Sequence, residues 1–142
     1  MLNVVELREM SSNKLEEMLE NAREEMFNLR FQKASARLEN VARLKQVRRE
    51  VAQLQNVLHM RKLAAETAAQ EPQIAAALAG KEWSSVAHFD YEETAWRVTF
   101  SDSDNNELAS ALVDLNRKRP QGRAARQVKE QPRLVKRFEV AG

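Results

Sequence analysis

Leu44, Val47, Val51, Leu54, Leu58 and Arg61 recur at steps of three, four, three, four and three, and this seam restricts the possible folds more than any other feature. Alternating threes and fours place side chains on one stripe of an α-helix. The stripe is apolar until its last position, so it requires a partner surface. A second stripe lies upstream, formed by Leu15, Met18, Leu19, Ala22, Met26 and Leu29. Ser11 precedes it as an N-cap, a position where a hydroxyl accepts a hydrogen bond from a free amide of the first turn. Glu16 and Glu17 lie near the positive end of that helix, where carboxylates are favoured. Between the stripes runs Ala34-Ser35-Ala36-Arg37-Leu38-Glu39-Asn40, a bend without Gly or Pro in which Ser35 and Asn40 suit turn or cap positions. The second helix is expected over about residues 39–66, roughly 40 Å at 1.5 Å per residue. Two helices joined by a short bend pack antiparallel, stripe against stripe. Residues 1–10 are expected to add a short lead-in helix with Leu2, Val5 and Leu7 facing the hairpin.

Beyond the hairpin the pattern changes. Ala64 to Ala79 is alanine-rich, interrupted by Pro72 and closed by Gly80, which reads as a linker with one short helix. Val86–Tyr91 and Ala95–Phe100 alternate with period two around Glu92-Glu93-Thr94, as paired strands do, with Trp96, Val98 and Phe100 on one face. Ser101-Asp102-Ser103-Asp104 is a turn and cap cluster. Leu108, Ala109, Leu112 and Leu115 then predict a helical stripe ending near Arg119-Pro120. Trp83, Phe89, Tyr91, Trp96 and Phe100 are the candidate core of this unit. The expected fold class is mainly α: an antiparallel two-helix hairpin with a small α+β, ββα-like extension and a basic tail. The expected divisions are a hairpin at 1–66, a linker at 67–80, an acidic extension at 81–119 and a tail at 120–142 that is unstructured when free.

Charge is segregated along the chain. The net charge of the 142 residues is +2. Residues 1–30 carry four cations and seven anions, and residues 31–62 carry eight and two. Residues 63–116 carry two cations and ten anions, and residues 117–142 carry nine and two. Two basic blocks thus alternate with two acidic ones, which suits two polyanion contacts separated by an acidic module. There is no cysteine, so a disulfide framework and a thiolate site are excluded. No apolar run approaches the roughly 20 residues that span a bilayer. The first residues, Met1-Leu2-Asn3-Val4-Val5-Glu6, lack the pattern of a signal peptide.

The basic face of the second helix comprises Arg43, Lys45, Arg48, Arg49, Arg61 and Lys62. Within the block only Glu39 and Glu50 are available to eight cations. A solvated coiled-coil face and a phosphate-binding face both fit this pattern, and the imbalance raises the second reading to parity. Catalytic and metal readings have less support. His59 and His88 lie on separate elements, and no zinc-ligand spacing appears. Asp102-x-Asp104-x-Asn106 begins like a calcium loop, but Glu107 replaces the glycine and Val113 the bidentate glutamate that such a loop requires. No glycine-rich phosphate loop or nucleophile elbow is present. No metal and no cofactor is expected. The aromatic residues at 83–100 read as a mini-core rather than a base-stacking platform, because their surroundings are acidic. An acidic exposed module suits a protein partner or a basic neighbour in an assembly.

Three segments together resemble a known family. Phe27-Asn28-Leu29-Arg30-Phe31-Gln32, followed by Ala34-Ser35 and Leu38, is similar to the bend region of the bacterial large-subunit ribosomal protein twenty-nine family. Arg43-Leu44-Lys45-Gln46-Val47-Arg48-Arg49-Glu50-Val51-Ala52 resembles the signature of its second helix, and Glu6-Leu7-Arg8-Glu9 with Ser11 resembles its opening. The resemblance covers about residues 1–62. One local departure is Ala36, where a glycine is common.

The resemblance implies a non-catalytic, structural ribosomal protein whose helical hairpin binds large-subunit ribosomal RNA near the polypeptide exit tunnel. It implies ribosomal protein twenty-three as a neighbour on the exit rim, and a rim where nascent-chain factors such as signal recognition particle and trigger factor dock. It implies a cytoplasmic, ribosome-bound location. Carried over residue by residue, the RNA-facing positions are Arg30, Gln32, Ser35, Arg37, Arg43, Lys45, Arg48 and Arg49. A second RNA contact is expected from the basic tail through Arg117, Lys118, Arg119, Arg123, Arg126, Arg133, Lys136 and Arg137. The family ends near residue 65, so about 75 further residues have no counterpart in it. Two rival functions are a coiled-coil adaptor, which would dimerise without RNA, and a nucleic-acid binder outside the ribosome, which would not discriminate among RNAs.

Overall fold

The computed structural model describes residues 3–116, 122–123 and 134–141. They form two compact units, Met1–His59 and Met60–Gly142, and the division falls within one long helix.

The first unit is helical. Helix α1 (Val4–Glu9) starts at Asn3, whose side chain accepts from the Val5 amide at 3.0 Å. Its inward residue is Leu7, which is fully buried, whereas Val5 is exposed. Helix α2 (Ser12–Ala34) starts at Ser11, whose hydroxyl accepts from the Lys14 amide at 3.2 Å. Helix α3 (Val41–Ala69) follows the bend, and the Asn40 side-chain carbonyl oxygen accepts from the Arg43 amide at 3.3 Å. Both stripes read from the sequence meet here. Leu15, Leu19 and Ala22 of α2 pack with Val47, Val51, Leu54 and Val57 of α3 and with Leu7. The seam departs from its predicted course at one point: Val57 is buried and Leu58 is only half-buried. Two successive steps of three residues, Val51 to Leu54 to Val57, turn the buried stripe around the helix at this point.

The bend closes α2 with a left-handed residue. Ser35 is the C-cap, and Ala36 has φ 57°. The Ala36 amide donates to Lys33 O at 3.1 Å and the Arg37 amide to Gln32 O at 2.8 Å. This pair of bonds is a Schellman cap, which satisfies carbonyls that the helix end would leave open. Glycine is the usual residue at this position because an L side chain there crowds its own backbone.

The second unit corrects the expected mainly-α class to α+β. Its sheet has four antiparallel strands in the order β1-β2-β3-β4. They are β1 (Trp83–Asp90), β2 (Ala95–Asp102), β3 (Glu107–Val113) and β4 (Val135–Val140). Helix α4 (Pro72–Leu78) carries Pro72 in its first turn, where a missing amide proton removes no helix bond.

Two elements of this unit differ from the expected ones. The helix expected from Leu108 onward is strand β3, because Leu108 and Leu112 mimic a helical step while Ala109, Ala111 and Val113 alternate into the core. Period two prevails because β3 pairs on both sides, with β2 and with β4. The tail expected to be unstructured supplies β4, in which Phe138 pairs with Ala111 and Val140 with Ala109.

One sheet face is apolar and packed. Trp96, Val98 and Phe100 are buried there, as their alternation requires, together with Phe89, Ala109, Ala111 and Val113. Ala64, Ala68, Ile74 and Leu78 complete this core from the end of α3 and from α4. Of the five aromatic residues assigned to it, Trp83 and Tyr91 are instead 44% and 48% exposed. Each lies at a strand end and touches a core ring edge-on, Trp83 on Phe100 at 5.4 Å and Tyr91 on Phe89 at 4.8 Å. The acidic clusters serve as hairpin turns. Asp90 Oδ1 accepts from the Glu92 amide at 3.0 Å, and Asp102 Oδ1 accepts from the Asp104 and Asn106 amides at 2.9 Å each. The Ser101–Asp104 cluster therefore closes a β-hairpin and caps no helix.

Candidate nucleic-acid interface

The eight positions expected to face RNA lie at one end of the helical unit. Arg30 and Gln32 are on the last turns of α2, Ser35 and Arg37 are in the bend, and Arg43, Lys45, Arg48 and Arg49 are on the first turns of α3. An antiparallel hairpin brings these stretches together because the bend is short. Seven of the eight are exposed, and Arg43 is half-buried.

Helical geometry separates the cations of α3. At 100° per residue, Lys45 and Arg49 point away from the seam of Leu44, Val47 and Val51, whereas Arg43 and Arg48 border it on opposite sides, Arg48 remaining exposed. Arg43 accordingly makes a cross-hairpin brace. Its Nε donates to Glu25 Oε1 at 2.7 Å and its NH2 group to Glu25 Oε2 at 2.8 Å. Glu50 lies 3.7 Å from the same guanidinium. The Glu25 hydrogen bond raises the already high Arg43 pKa, with Glu25 and Glu50 adding attraction against a desolvation penalty. Glu25 is 18 residues from Arg43 in the chain, so a count of carboxylates within the basic block overlooked it. Arg61, read as part of the basic face, is half-buried, and burial lowers its pKa.

Two residues of this end carry a signal the charge argument missed. Phe27 and Phe31 are 68% and 64% exposed. They are one helical turn apart on α2 and stand outside the stripe of Leu15, Leu19, Ala22 and Leu29. A large aromatic residue off the buried stripe is the pattern that could have identified them. Val41, at the start of α3, is also exposed.

The tail cations divide differently. Lys136 and Arg137 lie on β4 and engage the β1–β2 turn: Lys136 Nζ donates to Glu93 O and Arg137 to Glu93 Oε1, both at 2.9 Å. Arg123 is exposed. Arg117, Lys118, Arg119, Arg126 and Arg133 lie outside the described residues. Among the described residues no group of acidic, histidine or cysteine side chains is arranged to hold a metal ion, and no helix is long and apolar enough to cross a membrane.

Comparison with known proteins bears on the same segment. The family model described as ribosomal L29 protein matches residues 5–61. The large ribosomal subunit protein uL29 of Natranaerobius thermophilus is 48% identical over 58 residues, which is 41% of this chain and 89% of that protein. The uL29 protein of Geobacillus stearothermophilus is 43% identical over 60 residues, 42% of this chain and 91% of its own. The chain belongs to the uL29 family. It is therefore a structural constituent of the large ribosomal subunit and not an enzyme. The uL29 protein of Streptomyces griseus, 47% identical over 62 residues, likewise covers 44% of this chain. The uL29 match is thus confined to the helical hairpin, and the sheet lies in a C-terminal extension.

Proposed function

We propose that the bend end of the uL29 hairpin anchors this chain on large-subunit ribosomal RNA beside the polypeptide exit tunnel, in the cytoplasm. The observation that carries this reading is the exposure of Lys45, Arg48 and Arg49, which make no ion pair among the described residues. Cations of this kind displace counterions condensed on RNA, a sequence-independent gain that weakens as salt rises. Arg30 and Arg37 extend the patch across the bend, and Gln32 and Ser35 add uncharged hydrogen-bonding groups. Arg43 acts one step back, holding α3 against α2 through Glu25 and so fixing the spacing of the exposed cations. Phe27 and Phe31 offer rings for stacking on a base or sugar, a contact that salt does not weaken.

Ribosomal protein twenty-three is the proposed protein neighbour, with nascent-chain factors as transient visitors to the same rim. The hairpin and the sheet unit serve as separate modules, the end of α3 and α4 belonging to the sheet unit. The cations of residues 117–137 form a second RNA contact. Replacing Arg117, Lys118 and Arg119 by glutamine tests that contact without removing β4.

The main test is replacement of Lys45, Arg48 and Arg49 by glutamine in the full chain. All three side chains are exposed, so the fold is retained. Association with large subunits is expected to weaken, and the slope of log affinity against log salt to fall by about 0.9 for each phosphate that is no longer neutralised. An unchanged slope would remove this face from the RNA-binding surface.

A further inference from the structure

We propose that the free edge of β1 binds an extended, basic segment of a neighbouring protein as a fifth strand of the sheet. The edge itself is a property of this chain's extension; only the source of the incoming strand rests on the ribosomal reading above.

The two outer strands differ in a way that bears on binding. Strand β4 has the usual protection of a sheet edge. It is six residues long, carries Lys136, Arg137 and Glu139, and follows an irregular register with β3 between Leu112 and Val113. Charges and irregularities of this kind deter unwanted strand pairing. Strand β1 has no irregularity and a single charge, Asp90 at its last position. Its sequence, Trp-Ser-Ser-Val-Ala-His-Phe-Asp, contains no Lys, Arg, Pro or Gly. All eight residues pair with β2 without a shift, from Trp83 opposite Asp102 to Asp90 opposite Ala95. An antiparallel ladder uses the backbone groups of alternate residues, so the others along β1 point their amides and carbonyls outward. Among the described residues nothing pairs with that side. A straight edge of about 27 Å is thereby presented. Val86 is 67% exposed in its middle, and Trp83 is exposed at one end.

Charge selects the occupant. Glu82 immediately precedes β1 and Glu92 follows it, and neither has a cationic partner among the described residues. Asp90 and Glu93 are already paired, with Arg97 at 3.0 Å and Arg137 at 2.9 Å. Residues 63–116 hold ten anions against two cations. A second copy would bring like charge to like charge, whereas a strand bearing Lys or Arg at its ends would meet Glu82 and Glu92. Main-chain bonds give such strand addition its affinity, and the flanking side chains give it selectivity.

The first test uses the full chain and a synthetic peptide, Lys-Val-Lys-Val-Thr-Val-Lys-Val. Alternate amides between Trp83 and Asp90 are expected to exchange at least about tenfold more slowly when the peptide is added, while β4 amides are unchanged. A peptide with Glu for each Lys is expected to give no protection. Lack of protection, protection along β4 instead, or equal protection by the Glu peptide would overturn the proposal. So would self-association of the chain through β1 without peptide, which would assign the edge to a second copy.

The second test places a photo-crosslinking residue at Val86, where exposure spares the fold, with His88 as an alternative position on the same strand. In purified large subunits the crosslink is expected on an extended Lys- and Arg-rich protein segment. A crosslink to RNA alone, or none, would contradict the proposal. Failure of the chain to co-sediment with subunits would instead count against the ribosomal reading, and the peptide measurement would still decide the edge.

Discussion

The two units of this chain use aromatic residues in opposite ways. In the helical unit the buried set is Leu, Val and Ala, and its two aromatic residues, Phe27 and Phe31, are mostly exposed. In the sheet unit Phe89, Trp96 and Phe100 form the interior, with Phe89 and Trp96 in edge-to-face contact at 5.3 Å. The difference follows from the geometry of each scaffold. Two long helices offer a narrow seam that aliphatic side chains fill, with much outward surface left over. A small sheet backed by short helical segments needs large side chains to exclude water from a limited core. Exposed rings in the first unit are therefore available for contact, and buried rings in the second are committed to folding. Charge divides within the chain along a different line, with a basic block at residues 31–62 and an acidic one at residues 63–116.

The strongest challenge to this division is a substitution in the sheet core. Phe100 is fully buried. Phe100→Ala is expected to destabilise the sheet unit by about 3–5 kcal/mol, enough to unfold a small unit. Hydrogen exchange should then collapse across β1 to β4 while amides of α2 persist, and ribosome association should survive. Loss of the α2 amides as well would show that the two units fold as one.

A smaller effect is expected at the bend. Ala36 holds φ 57°, a region that disfavours L side chains by roughly 1–2 kcal/mol. Ala36→Gly should stabilise the hairpin by about 1 kcal/mol, since glycine relieves this crowding but enters the helix cap from a freer unfolded chain. Thermal unfolding followed at α2 and α3 checks the sign. A destabilised hairpin would mean that the Ala36 methyl makes a contact worth more than the strain.

The smallest effect concerns pH and confines itself to the sheet unit. Hydrogen bonds from the Asn106 and Asp104 amides hold the Asp102 pKa below its ordinary value, and Asp90 is lowered first by Arg97 and then by turn amides. A lowered folded-state pKa gives stability that is present above the unfolded value of about 3.9 and is lost as pH falls through the folded one. The sheet should weaken modestly on acidification below about pH 4, and Asp102→Asn should flatten that dependence. Equal acid sensitivity in Asp102→Asn would place the responsible carboxylate elsewhere.

The hairpin was largely legible in the sequence because its information is local and periodic. Ser11, Asn40 and the two apolar stripes each announce their role within a turn or two of helix. What was hidden depended on distant partners. The brace from Arg43 to Glu25 joins residues on different helices, and no local pattern reports it. Strand β3 was misread because Glu107-Leu108-Ala109-Ser110-Ala111-Leu112-Val113 satisfies helical and strand periods at once, and pairing with β2 and β4 decides between them. Strand β4 was obscured by Lys136 and Arg137, whose charges made a paired strand resemble the rest of a basic tail. Among the candidate RNA-facing residues, the charged ones were legible from composition. Phe27 and Phe31 were not, because their importance lies in being absent from the core.

The measurement that bears most directly on the central claim is co-sedimentation of the chain with large ribosomal subunits through a high-salt cushion, beside a version ending at Lys62. If the uL29 hairpin is the anchor, both remain bound, and the extension adds surface without being needed for attachment. If the shortened chain washes off while the full chain stays, the anchor lies beyond Lys62 and the account given for the bend-end cations is wrong.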